Sequence, residues 1–220
     1  MDHIIPLKRE VDDLFDDWYR THVLLAHRLG LRIDGDGNTR WLYSIDARDE
    51  NSQVILLRTL DAEADRAAMD FAPHSEPTHK ADIGQRIDFA LTISGRQNRP
   101  GTEQSLRERH ALRTEGIKLN ASKCLGNYSA HVDYVSSQLD RAGLSALEID
   151  DLRDRRFIVR KGRGHRTTGI GIVGIMVRGS ATVADVSKLD AAICSGLGRD
   201  KAFGFGTLSI AAATDARIAA

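Results

Sequence analysis

Residues 196–206 of this 220-residue chain read Gly-Leu-Gly-Arg-Asp-Lys-Ala-Phe-Gly-Phe-Gly. The segment before them, from Val183 to Ile193, carries apolar residues at the three- and four-residue steps of one helix face. The segment after them, from Thr207 to Ile210, alternates as a short strand does. The order helix, glycine loop, strand excludes the dinucleotide-binding fingerprint, in which a strand leads into the glycine turn and a helix follows. A P-loop is excluded as well, because the sequence has no Gly-Lys-Ser/Thr tripeptide.

Two interpretations of this glycine loop (residues 196–206) stay open. Glycine lacks a Cβ atom, so the backbone of the loop can approach a bulky anionic partner closely. The same property suits a turn that packs tightly on a sheet.

Composition and charge bound the class of protein. The 31 basic and 31 acidic residues give a formal net charge of zero, which argues against a polycation but not against a local basic face. The sequence shows neither a signal peptide nor a long apolar run, so we expect no membrane association. Cys124 and Cys194 lack the spacing of a metal site or a disulfide framework. We therefore expect two buried thiols and a cytoplasmic location.

The first half of the chain predicts the order strand, helix, two strands, connection, strand. Pro6 restricts the first strand to a sheet edge or a strand end, and residues 60–82 are expected to run irregularly over the surface. This order corresponds to a ferredoxin-like half whose second helix is reduced or absent. The predicted elements are strands at residues 3–7, 40–45, 53–59 and 86–94, and a helix from Glu10 to a stop at Gly30.

The second half repeats this theme after a polar, basic connection at residues 95–126. The predicted elements are a helix at 128–142, strands at 156–160 and 171–177 joined by a loop at 161–169, a helix at 183–195 and a last strand at 207–210. The sequence therefore predicts an α+β protein of two consecutive ferredoxin-like (RRM-like) domains with antiparallel sheets, at residues 1–97 and 98–220.

The first helix carries candidate catalytic side chains. Tyr19 and His22 are three residues apart, so they share a helix face. Histidine titrates near neutrality and is the usual general acid or base, while a tyrosine hydroxyl can orient a substrate or donate a proton. His27 follows five residues after His22, roughly 140° around an ideal helix, and is a further candidate. The alternative is a packed tyrosine with surface histidines.

Basic residues crowd the predicted hairpin around the loop at 161–169. Because like charges repel, such a cluster is a poor way to stabilise a fold, and phosphate binding accounts for it better than a solvated surface does. This basic hairpin is defined here by Arg156, Arg160, Lys161, Arg163 and Arg166.

Three blocks of the sequence resemble the CRISPR-associated RNA-processing endoribonucleases of the CasE branch of the RAMP superfamily. Residues 18–22, Trp-Tyr-Arg-Thr-His, resemble the family's helical Tyr-x-x-His. Residues 41–43, 54–57 and 84–94 resemble its N-terminal sheet. Residues 196–209 are similar to its C-terminal glycine loop nearly position for position.

The resemblance implies where RNA would bind. It implies that His22 and Tyr19 sit at the scissile phosphate and that the basic hairpin enters the major groove of an RNA stem-loop. It implies that the glycine loop supports the RNA backbone through Arg199 and Lys201. The glycines of that RNA-binding loop are Gly196, Gly198, Gly204 and Gly206.

The resemblance also implies an activity. The expected substrate is CRISPR repeat RNA, cut near the base of its stem-loop by attack of a 2′-hydroxyl group, without a metal ion or another cofactor. The products would carry a 2′,3′-cyclic phosphate and a 5′-hydroxyl group, and the protein would be a subunit of a Cascade-like effector complex. His27 is the nearest counterpart of a basic residue that often assists the family's site.

Two other functions remain open. A non-catalytic RAMP subunit that binds crRNA as a scaffold would share the glycine loop and the basic face, but it would not need Tyr19 and His22 together. A more distant alternative is a ferredoxin-like protein that binds a small molecule.

Overall fold

The computed structural model describes residues 1–8, 18–30, 41–47, 52–98, 122–124, 128–161 and 168–213. The strands are β1 (Asp2–Lys8), β2 (Trp41–Ala47), β3 (Ser52–Thr59), β4 (His74–Glu76), β5 (Arg86–Ser94), β6 (Arg96–Asn98), β7 (Ser122–Cys124), β8 (Leu144–Lys161), β9 (Thr168–Val183) and β10 (Leu208–Ala212). The helices are α1 (Trp18–Arg28), α2 (Ala62–Met69), α3 (Tyr128–Arg141) and α4 (Val186–Ser195), with a 3₁₀ turn at Lys201–Phe203. Within these ranges, none of the helices has the length and apolar character needed to cross a bilayer.

The first sheet has the antiparallel order β2-β3-β1-β4 and, with α1 and α2, the βαββαβ plan of a ferredoxin-like fold. The expectation of an irregular path through residues 60–82 is wrong, because α2 and β4 lie there. The carboxylate of Asp61 accepts hydrogen bonds from the backbone N–H groups of Glu63 and Ala64, which caps α2. Ala64 and Ala68 bury one face of this short helix.

The second sheet has the order β10-β5-β9-β8, and β5-α3-β8-β9-α4-β10 repeats the same plan. Strand β5 has the predicted alternation, but it pairs with β9 and β10. Its assignment to the first sheet is therefore wrong. Sheet membership favours a division of the chain between β4 and β5, ahead of the boundary predicted at residues 97 and 98. Two consecutive ferredoxin-like units in an α+β protein are confirmed.

Two strand predictions need further correction. Strand β1 is central rather than at an edge, but its pairing with β4 covers only Asp2 to Ile4, so Pro6 faces no partner strand on that side among the described residues. The strands of the basic hairpin are longer than predicted, since β8 and β9 pair from Leu144 opposite Val183 to Lys161 opposite Thr168. The charges at residues 150–156 interrupt the apolar alternation from which strand length was predicted.

The first of two hydrophobic cores contains residues of both units. The first core contains Leu25 and Leu29 of α1, Tyr43 of β2 and Ile55 and Leu57 of β3. Two residues of the second unit complete this cluster, namely Ile172 of β9 and Phe205 of the glycine loop. Around the second sheet, a separate core includes Ile87, Ile93, Val135, Leu139 and Ile175. Cys194 is exposed on α4, so the expectation of a buried thiol is wrong for this residue.

A buried arginine links the units. Arg58 of β3 is 2% exposed, and its Nε and Nη2 atoms donate to the carboxylate of Asp2 at 2.7 and 2.8 Å. Its Nη1 atom donates to the carbonyl oxygens of Leu208 (2.8 Å) and Ile193 (3.3 Å) in the second unit. Thr78 donates its hydroxyl to Asp2 at 2.9 Å. The guanidinium thus satisfies groups of both units.

Replacement of Arg58 tests this link. We expect Arg58→Met to lower the free energy of unfolding by about 3–5 kcal/mol, because the buried Asp2 carboxylate would lose its partner. Denaturant unfolding measures this difference.

The matched control is Arg153→Met. Arg153 pairs with Asp151 at 2.9 Å, but its side chain is 72% exposed, so we expect a change of about 1 kcal/mol or less. Equal effects of the two substitutions would contradict a role of Arg58 in holding the units together.

Candidate active site

His22 of α1 lies in a stack of aromatic rings. The centroid of its imidazole is 5.0 Å from the ring of Trp41 and 6.1 Å from the ring of Tyr43, with interplanar angles of 21° and 24°. Trp41 and Tyr43 stack on each other at 5.5 Å. They are two residues apart on β2, so both side chains face α1. Trp41 and Tyr43 thus form an aromatic wall against the histidine.

The polar environment of His22 is incomplete. Its Nδ1 atom is buried and has no hydrogen-bond partner in the described part of the chain. Burial lowers the pKa of the His22 imidazole below its ordinary value of 6.5. The ring is therefore largely neutral at neutral pH, and a neutral imidazole can accept a proton.

The glycine loop contacts this aromatic wall from the second unit. The Tyr43 hydroxyl donates to the carbonyl oxygen of Ala202 at 3.1 Å, and Thr207 Oγ1 donates to the carbonyl oxygen of Tyr43 at 2.8 Å. The 3₁₀ turn at Lys201–Phe203 packs against both α1 and β2. The fold thus brings together two segments, the helix with His22 and the glycine loop, that are far apart in the sequence.

Gly206 shows why the loop contains glycine. Its φ angle is +86°, and a Cβ atom there would overlap the carbonyl oxygen of Leu197. The Leu197 N–H donates to the Gly206 carbonyl oxygen at 2.8 Å, and the Gly206 N–H donates to the carbonyl oxygen of Thr92 on β5 at 2.7 Å. The interpretation of this loop as a turn that packs tightly on a sheet therefore holds at Gly206. Gly196, Gly198 and Gly204 also have positive φ angles.

The two cations of the glycine loop have different surroundings. Lys201 donates from Nζ to the carbonyl oxygen of Ser195 at 2.6 Å, which satisfies an acceptor at the end of α4. Burial lowers the pKa of the Lys201 ammonium group. Arg199 is exposed. Next to it, Asp200 has a left-handed backbone (φ +60°), and its carboxylate accepts a hydrogen bond from Ser94 at 2.6 Å.

Strand β8, which carries three residues of the basic hairpin, packs against α1. In the β8–β9 register, Arg156 lies opposite Val173 and Arg160 lies opposite Gly169. Lys161 ends β8. Arg163 and Arg166 belong to residues 162–167, which lie outside the described residues. RNA binding by these five residues stays a prediction.

The remaining candidates on α1 differ from His22. Tyr19 lies in the first turn of the helix, but its side chain lies outside the described part, so its pairing with His22 stays a prediction. His27 is exposed in the last turn, five residues after His22. Among the described residues, His, Cys, Asp and Glu form no cluster of three or more that could hold a metal ion.

Sequence reasoning missed the partners of His22. It interprets Trp41 and Tyr43 only as part of the N-terminal sheet, although two aromatic residues at alternate strand positions mark one face of a strand. That spacing could have indicated a shared aromatic surface. It could not have indicated that α1 lies over it.

Several solved structures of CRISPR proteins share this architecture. The chain is similar to CRISPR endoribonuclease Cse3 bound to a 19-nucleotide RNA, with 21% identity over 96% of this chain and 100% of that chain and a TM-score of 0.68. It is similar to Thermus thermophilus Cse3 bound to an RNA representing a pre-cleavage complex (18% identity, 96% and 98% coverage, TM-score 0.64). It is also similar to a chain of a CRISPR RNA-guided surveillance complex (20% identity, 97% and 100% coverage, TM-score 0.60).

These similarities are below 25% identity, and they confirm the fold. A search of curated protein sequences finds no match. The family model described as CRISPR associated protein matches residues 3–212, which is nearly the whole chain. The chain therefore belongs to the CRISPR-associated protein family.

Proposed function

We propose that this protein is a metal-independent endoribonuclease that cleaves the stem-loop of CRISPR repeat RNA. The observation that carries the proposal is the half-buried imidazole of His22, whose Nδ1 has no partner among the described residues, beside the glycine loop. A buried imidazole nitrogen without a partner is costly for a fold, and groups with perturbed pKa values are frequent at functional sites. The similar structures of Cse3 with RNA support the same assignment.

The reaction follows from a neutral imidazole at a phosphodiester. The 2′-hydroxyl group next to the scissile phosphate attacks the phosphorus in line, and the bond from phosphorus to the 5′-oxygen breaks. The products are a 2′,3′-cyclic phosphate and a 5′-hydroxyl group. His22 accepts the proton of the 2′-hydroxyl, because its lowered pKa keeps the ring unprotonated at neutral pH. Tyr19 positions the ribose, and His27 is a candidate for protonating the leaving oxygen.

RNA docking uses the basic hairpin and the glycine loop. The hairpin residues bind stem phosphates, and exposed Arg199 contacts the RNA backbone. Lys201 holds the loop through Ser195 in the free protein, so its contribution to RNA binding is indirect. CRISPR repeat RNA is the substrate. A Cascade-like complex is the proposed assembly, in keeping with the similar chain in a CRISPR RNA-guided surveillance complex.

Loss of the imidazole tests the proposal. We expect His22→Ala to lower the single-turnover cleavage rate by roughly 10²–10⁴-fold, the usual contribution of general acid–base catalysis. The affinity for repeat RNA should stay within about twofold, because phosphate contacts dominate RNA affinity. Both quantities are measured with labelled hairpin RNA in EDTA.

Two controls make this experiment specific. His74→Ala removes an exposed histidine of β4 and should leave the rate unchanged. RNA with a 2′-deoxy group at the cut site should bind and stay intact. Cleavage of that RNA, or a normal rate for His22→Ala, would contradict the mechanism. Tight binding without cleavage of either RNA would favour the crRNA scaffold.

The pH profile tests the role of His22 as a base. Because burial lowers its pKa, the neutral form is already dominant above the ordinary value of 6.5. The single-turnover rate should rise with pH below that value and level off by about pH 7. Rates measured from about pH 5 to about pH 8 decide this point. A rate that falls as pH rises through this window would instead assign His22 as the acid.

Salt dependence tests docking by the basic hairpin. We expect Arg160→Ala with Lys161→Ala to weaken RNA binding and to reduce the slope of log affinity against log salt by roughly 0.7–0.9 for each phosphate that is no longer neutralised. Filter binding at several salt concentrations measures the slope. Arg153→Ala, which breaks an exposed pair with Asp151 on the same strand, is the control. An unchanged slope in the double variant would place the phosphate-binding side chains elsewhere.

A further inference from the structure

The orientation of the His22 ring needs an explanation. A histidine that transfers protons is usually held by a hydrogen bond from its second ring nitrogen to a carboxylate, a carbonyl oxygen or a water molecule. Among the described residues, none forms a hydrogen bond with His22 Nδ1, and that atom is buried. The ring instead stacks with two aromatic side chains, Trp41 and Tyr43. Stacking is therefore the interaction that can fix the plane of this imidazole.

Trp41 is the nearer of the two rings. Its centroid lies 5.0 Å from that of His22 at an interplanar angle of 21°, which is the geometry of an offset stack. The Trp41 side chain is itself restrained, because it packs against the first core and stacks on Tyr43. In the β2–β3 ladder, Trp41 pairs with Thr59, whose side chain is buried.

Tyr43 supports the stack and connects it to the second unit. It is 1% exposed, its hydroxyl donates to Ala202, and its own carbonyl accepts from Thr207. Both of these partners belong to the segment that contains the glycine loop or directly follows it. The position of the aromatic wall therefore depends on the docking of the second unit.

We propose that Trp41 is a positioning residue for His22, holding the imidazole plane in the place from which it takes a proton from RNA. This inference rests on the proposed function, because only that function gives the position of the imidazole a catalytic role. The stacking itself is a property of the free protein. Trp41 acts through His22 and needs no contact with RNA.

Two substitutions of Trp41 separate stacking from bulk. Trp41→Ala removes the ring, while Trp41→Phe keeps an aromatic partner for the imidazole. We expect Trp41→Ala to lower the single-turnover rate at saturating RNA by roughly 10- to 100-fold, the effect of a misplaced catalytic group. The dissociation constant for the RNA should stay within about twofold, because the side chains that bind phosphate are unchanged. Trp41→Phe should cleave at a rate close to that of the wild type.

A spectroscopic measurement reports the ring position without RNA. The imidazole protons of His22 lie in the ring currents of Trp41 and Tyr43, and their NMR signals are assigned by their disappearance in His22→Ala. We expect a clear shift of these signals in Trp41→Ala and a smaller one in Trp41→Phe. Thermal unfolding of each variant checks that the fold is retained.

The outcomes decide between the alternatives. A normal rate in Trp41→Ala would overturn the proposal, and so would a decrease in rate that weaker RNA binding explains entirely. Unchanged His22 signals in Trp41→Ala would also overturn it, since the ring would then be held by something else. If His22→Ala still cleaves RNA, the proposed function fails. Shifted His22 signals in Trp41→Ala would even then support the positioning of the ring by Trp41.

Discussion

The guanidinium of Arg58 is the interaction on which the candidate site depends. It binds the Asp2 carboxylate of its own sheet and two carbonyl oxygens of the second unit, at the end of α4 and on β10. Buried charges persist when every donor is satisfied, and here the donors of Arg58 reach acceptors in both units. The glycine loop leaves α4 and leads into β10. The same guanidinium therefore binds both ends of the segment that contacts Tyr43 beside His22.

The cost of the unpaired imidazole nitrogen points to function. Buried polar groups in folded proteins are nearly always hydrogen-bonded, and leaving one unpaired destabilises the protein by about 1–3 kcal/mol. An apolar residue could fill the space of His22 against two aromatic rings without this penalty. A histidine there makes physical sense if its other ring nitrogen, Nε2, takes a proton from a substrate hydroxyl group, as the proposed function requires. Its lowered pKa has the same cause, since the burial that excludes water also disfavours the charged ring.

The sequence patterns predict the helices and strands better than they predict which strands pair. The alternation of β5 and the helical spacing of α3 and α4 identified these elements, because each has one clearly buried face. Alternation shows which face is buried but does not show which strand is the neighbour, so the sequence predicts the wrong sheet for β5. Helix α2 escaped detection because it is short and its buried face consists of alanines. Strand β4 has three exposed residues and no alternation at all.

The candidate site was predictable by residue type but not by surroundings. His22 stood out because histidine chemistry and helical spacing are local, whereas its stack with Trp41 depends on how α1 crosses β2. For Lys201 the residue type alone is misleading. A lysine in a glycine loop suggests a charge available to a ligand, whereas this ammonium group donates a hydrogen bond to the end of α4. The two interpretations of the loop are then compatible. Tight packing at Gly206 fixes the ends of a loop that leaves Arg199 exposed, where an anionic backbone can reach it.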